Sequence, residues 1–189
     1  FDLSDTDEKV SFHILSLSDY EKTIRAELGF DNQRDVSNWY VGCFLNGQIY
    51  MVSFFDYGSL EKFKNRTIEH YEKTALHEFV HYVNGLFMKE RKCGYTEHYL
   101  SEGIACYLSG QKQGQKIELN CSLDDVLNRR ANHGCCYLLT KYAIENYGKE
   151  KVLELFESNR QAREFLKGEL FEKTKTASKN IEKTNFLTD

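Results

Sequence analysis

His77 and His81 stand four residues apart in a stretch whose composition reads as helix, with Glu78 between them. At 3.6 residues per turn the two imidazoles project from one face, one above the other. The string His77-Glu78-Phe79-Val80-His81 therefore demands a helix, and a fold able to bring a further ligand to the same face. Such a pair can occupy two corners of a tetrahedral zinc site, and Glu78 lies where a carboxylate could deprotonate a metal-bound water. Zinc needs a third protein ligand. The short arrangement, with Gly at 84 and His at 87, is excluded because the chain has Asn84 and Phe87. Glu102, on the next predicted helix, is the expected third ligand, ahead of Glu97 and His98. Gly103 and Ala105 beside it are small, which would let that helix approach the histidine helix closely.

The surrounding chain predicts an α+β fold. Val10–Leu17 reads as a strand. Ser18-Asp19 caps a helix running to Leu28 and stopped by Gly29. The apolar runs Trp39–Leu45 and Gln48–Phe55 flank Asn46-Gly47, a strong hairpin signal. The histidine helix is expected to start at Asn65 or Thr67 and to stop at Gly85. Its core stripes are expected along Ile68, Tyr71, Ala75, Phe79 and Tyr82, and along Leu76, Val80 and Val83. Helices follow over 97–109, from Ser122 onward, over 132–147 with a stop at Gly148, over 149–157 and over 161–171, before a polar tail from Lys173. His70 reads as a solvated histidine two turns before His77, and His13 as a structural residue in a strand.

Composition narrows the partners. The 189 residues carry a net charge of −4, which gives no electrostatic case for nucleic acid as partner. The apolar runs are too short to form a membrane-spanning segment. Six cysteines without C-x-x-C spacing point to free thiols and lean towards a reducing, cytoplasmic setting. The chain begins at Phe1 rather than at methionine, so an upstream segment is expected to be missing from this sequence.

Two strings carry a family resemblance. Leu100-Ser101-Glu102-Gly103-Ile104-Ala105-Cys106-Tyr107 is similar to the W-L-x-E-G-x-A-x-Y string of peptidase-MA-like gluzincin metallopeptidases. His77 to Gly85 resembles the H-E-x-x-H-Y-x-x-G string of the bacterial collagenase catalytic domain, and 137–152 is similar to the later helix of the group. The resemblance covers about residues 40–155 at the level of motifs. It implies a zincin-like single domain (1–189), with a small α/β lobe (1–60), a mainly helical lobe (61–172), a polar tail (173–189) and the active site between the lobes. It implies Zn2+ held by His77, His81 and Glu102, Glu78 as general base, and His133 or Tyr137 as the donor to the oxyanion. The implied activity is hydrolysis of peptide bonds in a peptide or protein substrate. Aminopeptidase N-type relatives carry G-x-M-E-N, whose glutamate holds the substrate amine. Gly47-Gln48-Ile49-Tyr50-Met51-Val52-Ser53 lacks that glutamate, so an endopeptidase is expected, with an edge strand near 48–54 pairing to an extended substrate. Two other readings compete: a non-catalytic zinc- or partner-binding protein on a peptidase fold, and a repressor-cleaving regulatory protease, whose E-x-x-A-N-x-F-A string is missing here. The family often acts outside the cell, against the lean from the cysteines, and neither oligomeric state nor compartment is legible.

Overall fold

The computed structural model describes residues 9–29 and 41–185, and the side chains up to 178. The chain is α+β, a small three-stranded sheet accompanied by helices. It divides into two compact units, one ending at Tyr82 and the other beginning at Val83.

In the first unit, strand β1 (Ser11–Leu15) leads into helix α1 (Leu17–Leu28). The cap is Ser16 rather than Ser18: its hydroxyl accepts the Asp19 N–H at 3.2 Å, and Gly29 closes the helix in the left-handed conformation. Strands β2 (Gly42–Leu45) and β3 (Gln48–Val52) form the hairpin announced by Asn46-Gly47, whose φ values of 49° and 78° are those of a two-residue primed turn. Trp39 and Tyr40, expected to open this hairpin, lie outside the described residues.

The sheet order is β1-β3-β2, with β1 parallel and β2 antiparallel to β3. Gln48–Val52 is therefore the central strand, and the expectation that it forms a free edge is overturned. Ile49, Tyr50, Met51 and Val52 are all buried, on both faces, as a central strand requires. That unbroken apolar run was the signal available in the sequence. Phe54 and Phe55 do not extend the strand: Ser53 caps helix α2 (Phe54–Ser59), and Phe55 is 91% exposed. On one side of the sheet Tyr20, Ile24, Val41, Tyr50, Val52 and Tyr57 form the core of the unit. On the other, Phe44 meets Tyr82 edge-on, ring centres 5.9 Å apart.

Helix α3 (Ile68–Glu90) carries the two histidines. Of the two expected caps Thr67 serves, its hydroxyl accepting the His70 N–H at 3.3 Å. Gly85 does not stop the helix. A glycine in a helix interior costs only about 1 kcal/mol, and Phe87, one half-turn on, is buried in the core of the second unit. The end comes at Lys92, left-handed with φ 53°, where Cys93 donates its N–H back to the Met88 carbonyl at 2.9 Å.

The second unit is helical. Helix α4 (His98–Ser109) ends at left-handed Gly110, and α5 (Leu123–Leu127) begins in a capping box formed by Ser122 and Asp125. Helix α6 (His133–Glu157) is capped by Asn132 and broken at Gly148 (φ 84°, ψ 162°), the expected stop. Helix α7 (Asn159–Phe165) and a π-helical turn (Leu166–Leu170) lead into α8 (Phe171–Asn185). The polar segment from Lys173 is thus helical as far as Asn185, and Thr174 is buried with its hydroxyl donating to the Leu170 carbonyl. The core gathers Leu100, Leu139, Leu155, Leu166 and Leu170 around α4 and α6. No helix among the described residues is long and apolar enough to cross a membrane.

Candidate metal centre

Helix α3 buries its polar side. Thr74, His77, Glu78 and Asn84 are buried, whereas Ile68, Leu76 and Phe79, expected in the core stripes, are exposed. Of the expected apolar faces, Val80 and Tyr82 are buried, Tyr71 packs against the core of the first unit, and Ala75 and Val83 are half-buried. Burying imidazoles and a carboxylate costs free energy unless each finds a partner, so this face is a sequence–burial conflict of the kind that marks a site.

His77 and His81 point their Nε2 atoms at one another, 3.1 Å apart, with the rings nearly perpendicular at 78°. Two nitrogens bound tetrahedrally at ~2.0–2.1 Å from a metal stand about 3.3 Å apart. The histidine pair already has this bite.

Glu78 lies on the sheet side of α3. A Cβ placed on Gly42 of β2 would meet Glu78 Cγ at 3.1 Å and Met51 Sδ at 2.5 Å, so this stem lies directly against bare backbone. The neighbouring Cys43 thiol is pushed up to about 12, chiefly by burial and further by the Glu78 charge, while a hydrogen bond from Tyr20 opposes.

On α4, Glu102 accepts a hydrogen bond or ion pair from His133 Nε2, 3.2 Å from its Oε2. Gly103 makes this pairing possible. A Cβ there would fall on Thr140 Oγ1 and on the Cys136 carbonyl, so α4 and α6 pack with backbone nearly in contact. The small residue beside Glu102 thus serves the approach of α4 to α6. The Thr140 hydroxyl, wholly buried, donates to the Tyr99 carbonyl at 3.2 Å and ties the two helices at this level. The Cys136 thiol is raised, first by burial and then by the Glu102 charge.

Of the three predicted ligands, His77 and His81 are held together on α3 of the first unit, and Glu102 stands on α4 of the second. Glu97, the competing carboxylate, is 3% exposed and faces Arg163 at 3.5 Å, which commits it to holding α4 against α7. His133 is half exposed in the first turn of α6. Tyr137, one turn on, is buried, its ring 6.4 Å from Tyr107 and under the Lys141 ammonium at 5.9 Å. His70 is not the solvated histidine expected: its Nδ1 is 2.6 Å from the buried Tyr57 hydroxyl. His13 stacks on Tyr50 at 5.0 Å, a structural role in β1. All six cysteines are free thiols.

The free side of β2 was missed in the sequence. Val52 N–H donates to the Val41 carbonyl at 2.9 Å, and alternation along an antiparallel pair then turns the amides of Gly42 and Phe44 away from β3. No strand among the described residues pairs with that side. Comparison with protein families, with curated proteins and with solved structures returns no match.

Proposed function

We propose that the chain is a zinc-dependent peptidase of the gluzincin kind, with His77, His81 and Glu102 as ligands and Glu78 as general base. The observation that carries the reading is the histidine pair of α3, whose Nε2 atoms stand 3.1 Å apart, close to the spacing of tetrahedral ligands, next to a buried glutamate. Zinc, when bound, supplies Lewis acidity and an acidified water. Glu78 follows His77 directly and is buried; in this reading it takes a proton from the attacking water and delivers it to the leaving amine. His133, paired with Glu102 and half exposed, is the better donor to a developing oxyanion than the buried Tyr137.

An extended substrate would pair with β2 rather than β3, using the outward amides of Gly42 and Phe44. With no glutamate on β3 to hold a free amine, internal cleavage is the expected mode. The decisive experiment compares wild type with Glu78→Gln on a library of end-blocked peptides, alongside metal analysis. Zinc should be retained at one equivalent while internal cleavage falls by about a thousandfold or more. Zinc binding with no hydrolysis in wild type would leave a non-catalytic metal protein. Release of single N-terminal residues without internal cleavage would sink the endopeptidase reading.

A further inference from the structure

Strand β2 lies against Glu78 at a residue without a side chain. Gly42 pairs across the hairpin with Met51, a non-hydrogen-bonded pair in which the two α-carbons stand closest. The Met51 thioether, 1% exposed, folds into the volume that a Cβ at position 42 would fill, with Sδ at 2.5 Å from it. The Glu78 stem occupies the remaining side, Cγ at 3.1 Å and Oε1 at 3.5 Å. Three groups thus share one small volume: a bare α-carbon, a sulfur and the carboxylate stem.

We propose that Gly42 is a positioning residue for Glu78, its missing side chain leaving the space in which the carboxylate stem and the Met51 thioether lie together. Where the general base points is then set jointly by α3 and by β2. The proposal rests on the peptidase reading for its catalytic meaning, but the placement of Glu78 itself does not depend on that reading.

A Cβ at 42 cannot be absorbed without displacement of sulfur or stem, since 3.1 Å is closer than nearly all carbon contacts and 2.5 Å is closer than any. Of the two neighbours Met is the more adaptable. Truncating Met51 should therefore let an alanine at 42 lean towards the emptied space and hand back part of the room to Glu78. A displacement of about 1 Å at a reacting group costs on the order of a hundredfold in rate.

The test uses the full chain as Gly42→Ala and as Gly42→Ala/Met51→Ala, each checked for folding by circular dichroism. Gly42→Ala should lower kcat by about tenfold to a hundredfold while KM and bound zinc stay within twofold of wild type, and the double variant should regain part of the loss. The second readout needs no activity. In zinc-free protein, the Glu78 side-chain carboxyl 13C resonance, assigned by its disappearance in Glu78→Gln, should move in Gly42→Ala and return towards the wild-type position in the double variant. A carboxyl resonance that does not move in Gly42→Ala overturns the proposal, whether or not the wild type proves to be a peptidase. An unchanged kcat in an active enzyme overturns it as well. A moved resonance in a protein that cleaves nothing would uphold the positioning and refute the peptidase reading alone.

Discussion

Helices α3 and α6 are nearly the same length, 23 and 25 residues, and they spend burial in opposite ways. On α6 the buried side is mostly apolar: Cys135, Cys136, Leu139 and Ala143 before the break at Gly148, then Val152, Leu155 and Phe156 after it. On α3 a threonine, a histidine, a glutamate and an asparagine are buried while Leu76 and Ile68 face outward. Hydrophobic transfer explains α6 without further argument. It cannot explain α3, where each buried polar group must be compensated by a partner. The difference teaches where burial has to be compensated by polar partners: the Thr74 hydroxyl donates to the His70 carbonyl, and His77 faces His81.

The largest effect that could break this contrast concerns zinc. If α3 buries His77 for a metal, His77→Ala should weaken zinc binding by on the order of a thousandfold, well beyond the ten- to hundredfold cost of losing an outer hydrogen-bond partner. Competition against a chromophoric chelator measures it. An unchanged affinity would reduce the buried face to a polar core with no ligand role.

Next in size are the two leucines that define the comparison. Leu139, fully buried on α6, should cost about 3 kcal/mol as Leu139→Ala. Leu76, 43% exposed on α3, should cost less than about 1 kcal/mol as Leu76→Ala. Urea midpoints at constant m report both, and equal costs would mean that Leu76 is packed in solution.

The two units agree in one respect, a thiol raised by desolvation and by a nearby carboxylate, Glu78 for Cys43 and Glu102 for Cys136, and high pH probes it. Cys43 has a folded value of about 12 against an ordinary 9.0, raised mainly by burial. Its protonated form is the stable one in the fold, so its contribution is complete below pH 9 and is lost as pH rises towards 12. Over that window the folded protein holds a proton that the unfolded chain has released, and stability should fall by at most about 1.4 kcal/mol per pH unit from this group. Urea titrations at pH 8, 9.5 and 11 should show a shallower decline in Cys43→Ala than in wild type. Parallel declines would place the alkaline sensitivity elsewhere.

Local features were the legible ones. Asn46-Gly47 announced its hairpin, Ser122 a helix start, and Gly29, Gly110 and Gly148 their breaks, because each acts within a few residues of itself. The approach of His77 to His81 was legible because a spacing of four residues sets two side chains on one face of a helix. What failed depends on distant partners. Gly85 looked like a stop until Phe87 found a core to enter. β3 looked like an edge until β1 paired with it. The faces of α3 were read from hydropathy, which assigns Phe79 and Leu76 inward, against the exposure observed. Gly103 was correctly read as permitting close approach, but its partner, α6, comes from packing that no short string encodes.

The break at Gly148 has a consequence for mutational tolerance. Its φ of 84° with ψ of 162° falls in a region that essentially only glycine occupies. Glu145, Asn146, Lys149 and Glu150 around it are exposed and free to vary. In a saturation library this stretch would read as one codon that admits no substitute amid neighbours that admit nearly all. That isolated intolerance would register a backbone angle, with no side chain and no chemistry behind it.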